Sequence, residues 1–165
     1  MHIRQERPED AKAIHLLTEA AFKDAPHSGQ NEARIVQALR SADALTISLV
    51  AIEDGDIVGH AAFSPVKING VTGDWHGLGP VSVRPDLQKR GIGHALIRDG
   101  LQGLQSLQAA GCVVLGDPAY YGRFGFRSDP ELTYGDVPPE YFQRLTFTTD
   151  VPKGEVSYHP GFDVL

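Results

Sequence analysis

The stretch VSVRPDLQKRGIGH, residues 81–94, constrains the fold of this chain more than any other part of the sequence. Apolar residues alternate with others up to Pro85, which is typical of a strand that ends there. A polar turn with two glycines follows, and an apolar stripe of helical spacing then predicts a helix that runs to about residue 108 and is stopped by Gly111. The stripe comprises Leu96, Ile97, Leu101, Leu104, Leu107 and Gln108.

The start of this helix has the character of an anion site. Amide groups in the first turn of a helix lack helical partners, and the helix dipole places partial positive charge there. Gly91 and Gly93 have no Cβ atoms, so a ligand can approach the backbone closely. Lys89 and Arg90 add full positive charge. The combination predicts a phosphate site, although the glycines alone also fit an ordinary tight turn.

The rest of the chain predicts a mixed α/β domain over residues 1–165, a length ample for one domain and short for two. Hairpin turns at Asp54-Gly55 and Asn69-Gly70 predict antiparallel strands early in the chain. The apolar run CVVLG predicts a later buried strand, parallel to the one that ends at Val83. The predicted elements are strands at 3–7, 47–53, 57–67, 71–83, 112–116, 144–149 and 154–159, and helices at 7–22, 31–42 and 92–108.

Composition narrows the class of protein. The sequence is 41% hydrophobic and 22% charged, as in an ordinary globular protein, and has no apolar run near the roughly 20 residues of a membrane helix. A single cysteine, Cys112, excludes an internal disulfide and, with no secretory signal visible, indicates the cytoplasm. The net charge of −6 argues against nucleic-acid binding. The histidines show no metal-ligand spacing, so we expect no metal.

Two motifs resemble those of the GNAT N-acetyltransferase superfamily. Gln88-Lys89-Arg90-Gly91-Ile92-Gly93, after Val81-Ser82-Val83-Arg84-Pro85, is similar to its acetyl-CoA-binding motif, and DPAYYGRFGF at 117–126 resembles its later Y-x-x-x-G-F segment. The resemblance covers 1–126 in element order, is specific over 78–126, and is strongest to a bacterial subgroup of predicted N-acetyltransferases. It implies a GNAT-like fold: a central mixed sheet, antiparallel in its N-terminal half, with a parallel strand pair splayed around the cofactor and flanking helices. Residues 127–165 would then be a C-terminal extension of the same domain.

The resemblance also implies a set of residues that bind acetyl-CoA. The pyrophosphate would lie on main-chain amides of Gln88, Lys89, Arg90, Gly91, Ile92, Gly93 and His94, and the pantetheine arm would pair with Val81, Ser82 and Val83. Asp117 lies near the position where many relatives have an asparagine that meets the pantetheine, but the turn here is shorter. Asp117 followed by Pro118 also fits a helix cap, which we favour.

Catalytic roles follow from the same resemblance. The backbone N–H of Val81 would polarise the thioester carbonyl, as an oxyanion hole does. Tyr121 matches the family's tyrosine, which protonates the leaving thiolate; the alternative is a core aromatic residue. The general base stays open between His76, Asp74, Glu32 and a water chain. Cys112 is expected to be a buried, inert thiol and Trp75 a core or interface residue.

The implied function is transfer of an acetyl group from acetyl-CoA to a primary amine, by direct attack in a ternary complex. The acceptor would be a small-molecule or peptide amine, with neither nucleic acid nor membrane as partner, and a homodimer is possible. The alternative is a non-catalytic module that binds acyl-CoA for regulation. The unassigned base leaves that alternative open, whereas the motif and Tyr121 favour the enzyme.

Overall fold

A mixed nine-stranded sheet is the frame of the computed structural model, which describes residues 1–165. Its strands are β1 (His2–Gln5), β2 (Ile47–Glu53), β3 (Asp56–Ile68), β4 (Val71–Val83), β5 (Gly111–Leu115), β6 (Arg127–Ser128), β7 (Leu132–Thr133), β8 (Phe142–Thr146) and β9 (Gly154–Tyr158). The helices are α1 (Ala11–Phe22), α2 (Glu32–Ser41), α3 (Ile92–Ser106) and α4 (Pro118–Tyr121). The spatial order β1-β2-β3-β4-β5-β8-β6 places the predicted parallel pair, β4 and β5, in the middle of the sheet.

The antiparallel half is confirmed, and its hairpins form where the sequence predicts them. Asp54 and Asn69 have φ angles of 52°, and the glycine after each has a φ angle of 82° and 77° respectively. Such left-handed backbone is the requirement of a two-residue hairpin turn. β2, β3 and β4 are therefore joined in antiparallel order by local chemistry, whereas β1 pairs antiparallel with β2 across the two intervening helices.

β4 and β5 pair only over a short distance and then separate. The paired residues are Trp75 with Gly111, His76 with Cys112, and Gly77 with Val113, although β4 continues to Val83. Just beyond, β4 has two residues, 79 and 80, where β3 has only Ala62. This bulge bends β4, and the bend accompanies a gap between the two parallel strands.

The helices cover both faces of the sheet, as the alternation of side chains requires. Leu49 of β2 packs in the cluster that includes Leu96 and Leu104 of α3. The next residue, Val50, points the other way and packs against Ile14 of α1 and Val36 of α2. The gap between β4 and β5 therefore lies between a face covered by α3 and a face reached by α1 and α2.

Several predicted boundaries are wrong. The helix predicted to reach residue 108 ends at Ser106, because Gln108 adopts a left-handed φ of 62°, and Leu107 is 61% exposed instead of widening the apolar stripe. Gly111, the predicted stop, begins β5. The strand predicted at 144–149 begins two residues earlier, where β8 pairs with Leu115 at the end of β5. The first turn of the helix predicted at 7–22 is a 3₁₀ turn, Pro8–Asp10.

A polar network is buried between α2 and the sheet. Ser48 donates to the Glu6 carboxylate, which also accepts two bonds from Arg40, at 2.7 and 2.9 Å. Because the single Ser48 proton is used in this way, His60 Nε2 must donate to Ser48 Oγ, 2.8 Å away. His60 Nδ1 is buried without a partner, and burial lowers the pKa of His60 to about 4.

We expect this network to make stability depend on pH. Between pH 6.5 and 4 the unfolded chain protonates His60 and the folded chain does not, so stability falls as the pH is lowered through this window. The expected loss is about 2–3 kcal/mol for a fully buried imidazole. Urea unfolding of the protein and of His60→Gln, measured from pH 7.5 to 4.5, should give a shallower slope for the variant. Equal slopes would contradict the assignment.

Candidate active site

Two clefts open along the edge of β4 that faces the gap. The helix-mouth cleft, of about 440 Å³, is lined by Val83, Leu87, Gln88, Lys89, residues 91–94, Tyr120 and Arg123. The tyrosine cleft, of about 390 Å³, is lined by Phe22, Glu32, Ile35, residues 78–81, Leu115, Tyr121, Tyr134, Tyr158 and Phe162. Val81 and Val83 lie roughly 7 Å apart on one strand, so the clefts follow one another along β4.

The first amides of α3 point into the helix-mouth cleft without partners in the chain. The first hydrogen bond of this helix runs from Ala95 N–H to the Gly91 carbonyl, at 3.0 Å. The N–H groups of Ile92, Gly93 and His94 donate to no protein atom, and no side chain caps the helix. Gly91 turns the chain with a φ of 87°. The mouth therefore presents three free donors at the positive end of a 15-residue helix.

Neighbouring side chains fix this mouth and add charge to it. Gln88 Nε2 donates to the Val83 carbonyl at 3.2 Å, which ties the turn to the end of β4. The Arg123 guanidinium lies 5.5 Å from the centre of the Tyr120 ring, and both residues line the cleft. Arg123 was not singled out from the sequence, because only the fold brings the turn after α4 beside the start of α3. The cleft is suited to a doubly charged anion.

The structure brings together most, but not all, of the residues predicted to bind the cofactor. Val83, Gln88, Lys89 and residues 91–94 line one cleft, and Val81 lines the other. Arg90 is exposed and lines neither. Ser82 is 1% exposed with its hydroxyl buried and unpaired, so its side chain does not reach either cleft.

Asp117 caps α4, as the sequence favoured. Its Oδ1 accepts a hydrogen bond from Ala119 N–H at 2.9 Å, and Pro118 occupies the first helical position. Asp117 lines neither cleft. Its role in the structure is to fix the short helix that carries Tyr121.

Tyr121 stands where the gap meets the tyrosine cleft. Its ring packs so closely on Gly116 that a Cβ there would lie 2.5 Å from it, and it contacts Phe126 edge-on at 6.0 Å. Burial raises the pKa of Tyr121 to about 12, so the phenol is protonated at neutral pH. Its hydroxyl has no hydrogen-bond partner within the chain. The group can therefore donate a proton into the cleft.

Tyr158 and Tyr134 come from the C-terminal segment, whose role the sequence did not reveal. The Tyr158 ring lies against Gly77, the last residue of β4 that pairs with β5, and a Cβ at Gly77 would be 2.5 Å from it. Tyr134 meets Tyr158 edge-on at 5.0 Å. Two tyrosine rings, 121 and 158, thus frame the point where the strands separate.

The candidate bases lie in different places, and Asp74 is exposed and lines neither cleft. Glu32 lines the tyrosine cleft, and its carboxylate oxygens lie 2.6 and 2.7 Å from the Ser28 hydroxyl. His76 lies in the paired part of β4, opposite Cys112, and lines neither cleft. Burial lowers the pKa of His76, and its Nδ1 is buried without a partner. Only Glu32 shares a cleft with Tyr121.

The remaining candidates belong to the core. Cys112 is fully buried, and burial raises the pKa of its thiol, which therefore stays protonated and unreactive. Trp75 is 5% exposed and packs in the core with Val66 and Val113.

No three histidine, cysteine or acidic side chains stand close enough together to ligate a metal. No helix is both long and apolar enough to cross a membrane.

Comparisons with known proteins identify the family. A sequence model of the acetyltransferase (GNAT) domain matches residues 2–128. The chain belongs to the GNAT acetyltransferase family. The uncharacterized N-acetyltransferase YhbS of Escherichia coli (strain K12) is 39% identical over 127 residues, which are 76% of this chain and 73% of that protein.

Two crystal structures extend this similarity over almost the whole chain. A GNAT family acetyltransferase from Brucella melitensis, in complex with acetyl-CoA, is 54% identical with a TM-score of 0.89 over 98% of this chain and 97% of that one. YhbS from Escherichia coli, in complex with CoA, is 34% identical with a TM-score of 0.90 over 99% and 92%. The GNAT fold predicted from the sequence is confirmed.

The capping role of Asp117 can be tested by stability. Asp117→Ala should lower the free energy of unfolding by about 1 kcal/mol, because one amide of α4 loses its acceptor. Asp117→Asn keeps a capping oxygen and should stay within about 0.3 kcal/mol of the parent protein. Urea unfolding without any ligand makes the measurement. Equal stability of the alanine variant and the parent would contradict this role.

Proposed function

We propose that this GNAT family member is an N-acetyltransferase that moves the acetyl group of acetyl-CoA to a primary amine by direct attack. One observation carries the proposal: the free amides at the mouth of α3 and the protonated Tyr121 open onto the same gap between β4 and β5. The acetyl-CoA complex of the Brucella melitensis relative, 54% identical, supports the choice of co-substrate.

The two clefts assign the parts of acetyl-CoA. The diphosphate is held by the amides of Ile92, Gly93 and His94, with Lys89 and Arg123 beside them. The extended pantetheine arm then runs along the unpaired edge of β4, where its amides take the place of a neighbouring strand. This path leads the thioester past Val83 to Val81 and Tyr121 in the tyrosine cleft.

The residues of the tyrosine cleft supply the proton transfers. Glu32 binds the incoming ammonium and takes its proton, which frees the nitrogen lone pair to attack the carbonyl carbon. The N–H of Val81 stabilises the negative charge that develops on the carbonyl oxygen. The carbon–nitrogen bond forms, the carbon–sulfur bond breaks, and Tyr121 donates its phenolic proton to the departing sulfur. The nitrogen, still positively charged after its attack, then loses its second proton, which restores the Tyr121 phenol and leaves a neutral amide. His76 has no part in this scheme, because it lies outside the cleft.

The competing function is a module that binds acyl-CoA without catalysis. A cofactor-binding module needs the α3 mouth but gains nothing from a protonated phenol and a carboxylate facing one cleft. A panel of small amines and peptides, assayed for release of free CoA thiol, separates the two. Release above the rate of thioester hydrolysis supports the enzyme. Binding of acetyl-CoA with no amine-dependent release from a broad panel supports the module.

Removing the Tyr121 hydroxyl tests its role as general acid. Tyr121→Phe should lower kcat about 100-fold, because the thiolate then leaves unprotonated. The dissociation constant for acetyl-CoA, measured by calorimetry, should change less than about threefold, because the ring and its packing are kept. Tyr141→Phe is the matched control, since Tyr141 is 45% exposed and lines neither cleft. Equal kcat values for the two variants would exclude this role.

Adding a methyl group at Gly93 tests the diphosphate site. A Cβ there would lie 3.6 Å from Tyr120 Oη and from Val83 Cγ2, so the fold accommodates it. The methyl would stand between the amides and a phosphate, and Gly93→Ala should raise the acetyl-CoA dissociation constant at least about tenfold. Gly73→Ala is the control, because nothing lies within 4 Å of its added carbon. Unchanged affinity with unchanged Tm would place the diphosphate elsewhere.

A further inference from the structure

We propose that the acceptor is a small primary amine with an aromatic or branched apolar body and no carboxylate. This inference rests on the proposed function and narrows it to a class of substrate. Acetyl-CoA, on the path given above, reaches the cleft from the side of β4, β5 and α4. The acceptor must then enter from the opposite end, which is lined by Phe22, Glu32, Ile35, Tyr134, Tyr158 and Phe162.

The acceptor end is a cluster of aromatic rings. Tyr158 lies at its centre, with the Tyr134 ring 5.0 Å away on one side and the Phe162 ring 5.0 Å away on the other. Phe22 at the end of α1 and Ile35 of α2 close the remaining sides. Such a surface gains free energy by covering an apolar body. Apart from the tyrosine hydroxyls and Glu32, its side chains offer no hydrogen-bonding group to the hydroxyl groups of a sugar or the main chain of a peptide.

The charged side chains that line the cleft favour a substrate with a single positive charge. Glu32 is the only acidic residue that lines the cleft, and no lysine, arginine or histidine lines it. A single ammonium is therefore neutralised, and the aromatic faces around it also favour a cation. Within this cleft the carboxylate of an amino acid would be desolvated with no positive group to meet it, since Lys23 and Arg34 line only the adjoining cleft beyond Phe22 and Glu32. The second ammonium of a polyamine would have no carboxylate to pair with in the cleft.

Glu32 is also held in a fixed position. The Ser28 hydroxyl contacts both carboxylate oxygens, and Gln30 N–H donates to that hydroxyl at 2.9 Å. The 23–31 loop thus fixes the point to which the ammonium binds. The distance from this point to the aromatic cluster determines where the body of the acceptor lies, which is a basis for selectivity among amines.

Matched amines test the proposed class. We would compare 2-phenylethylamine with phenylalanine, which adds only a carboxylate, with 1,4-diaminobutane, which replaces the ring by a second ammonium, and with an alanine-initiated tripeptide. The full-length protein with saturating acetyl-CoA should show a kcat/KM for 2-phenylethylamine at least about tenfold above each of the others. A preference for phenylalanine, the diamine or the tripeptide would overturn the inference.

A charge introduced at the cleft gives an independent test. Phe22 lines the acceptor end of the cleft and is only half-buried, so Phe22→Arg places a guanidinium there. The ratio of kcat/KM for phenylalanine over 2-phenylethylamine should rise at least about fivefold. Leu107→Arg is the matched control, since Leu107 is 61% exposed and lies outside both clefts, and its ratio should not change. An unchanged ratio in Phe22→Arg would place the acceptor elsewhere.

Failure of this inference differs from failure of the proposed function. One outcome is that the protein acetylates a carboxylated, polycationic or peptide amine in preference to 2-phenylethylamine. This result would contradict the substrate class but not the acetyltransferase function. Binding of acetyl-CoA with no release of free thiol in the presence of any of the four amines, or of the broader panel above, would contradict both the substrate class and the acetyltransferase function. Calorimetric titration of 2-phenylethylamine into the CoA-saturated protein adds a readout that does not depend on turnover, and saturable binding that is lost in Glu32→Gln supports the class.

Discussion

The arrangement of the candidate site depends on the point at which β4 and β5 stop pairing. Three residue pairs join the strands, and the bulge at residues 79 and 80 then bends β4 away. Backbone groups on the two facing edges beyond this point lack strand partners, which a folded chain ordinarily avoids. An extended ligand with its own amides can supply the missing partners. The gap is therefore a candidate binding site made by the absence of ordinary sheet pairing.

The other parts of the site are arranged around that gap. α3 follows β4 after a short turn, so its free amides open at one end of the gap, and α4 follows β5, so Tyr121 stands at the other. Gly77 and Gly116 are the two places where a side chain would overlap a tyrosine ring. These two glycines allow an aromatic ring to pack against the backbone, whereas Gly91 allows the backbone to take a left-handed turn. Glycine thus has two separate physical roles in the same site.

Local chemistry explains which predictions from the sequence were right. The hairpins at Asn69 and Asp54, the helix after Gly91 and the cap at Asp117 depend on residues close together in the chain, and each is observed. The end of α3 was misplaced for the converse reason. Gln108 adopts a left-handed conformation that glycine usually occupies, and Gly111 is taken into β5, where it pairs with Trp75. The requirements of the parallel pair overrode local preference.

The sequence by itself determined the order of the longer elements, the glycine turn before α3 and the family, because each depends on contiguous residues. Only the tertiary structure decided which side chains share a cleft. It placed Glu32 with Tyr121, left His76 within the paired sheet, and brought Arg123 and Tyr158 to the two ends of the gap. These contacts join residues from distant segments and depend on how the strands bend and which face each side chain takes. No local pattern in the chain encodes that information.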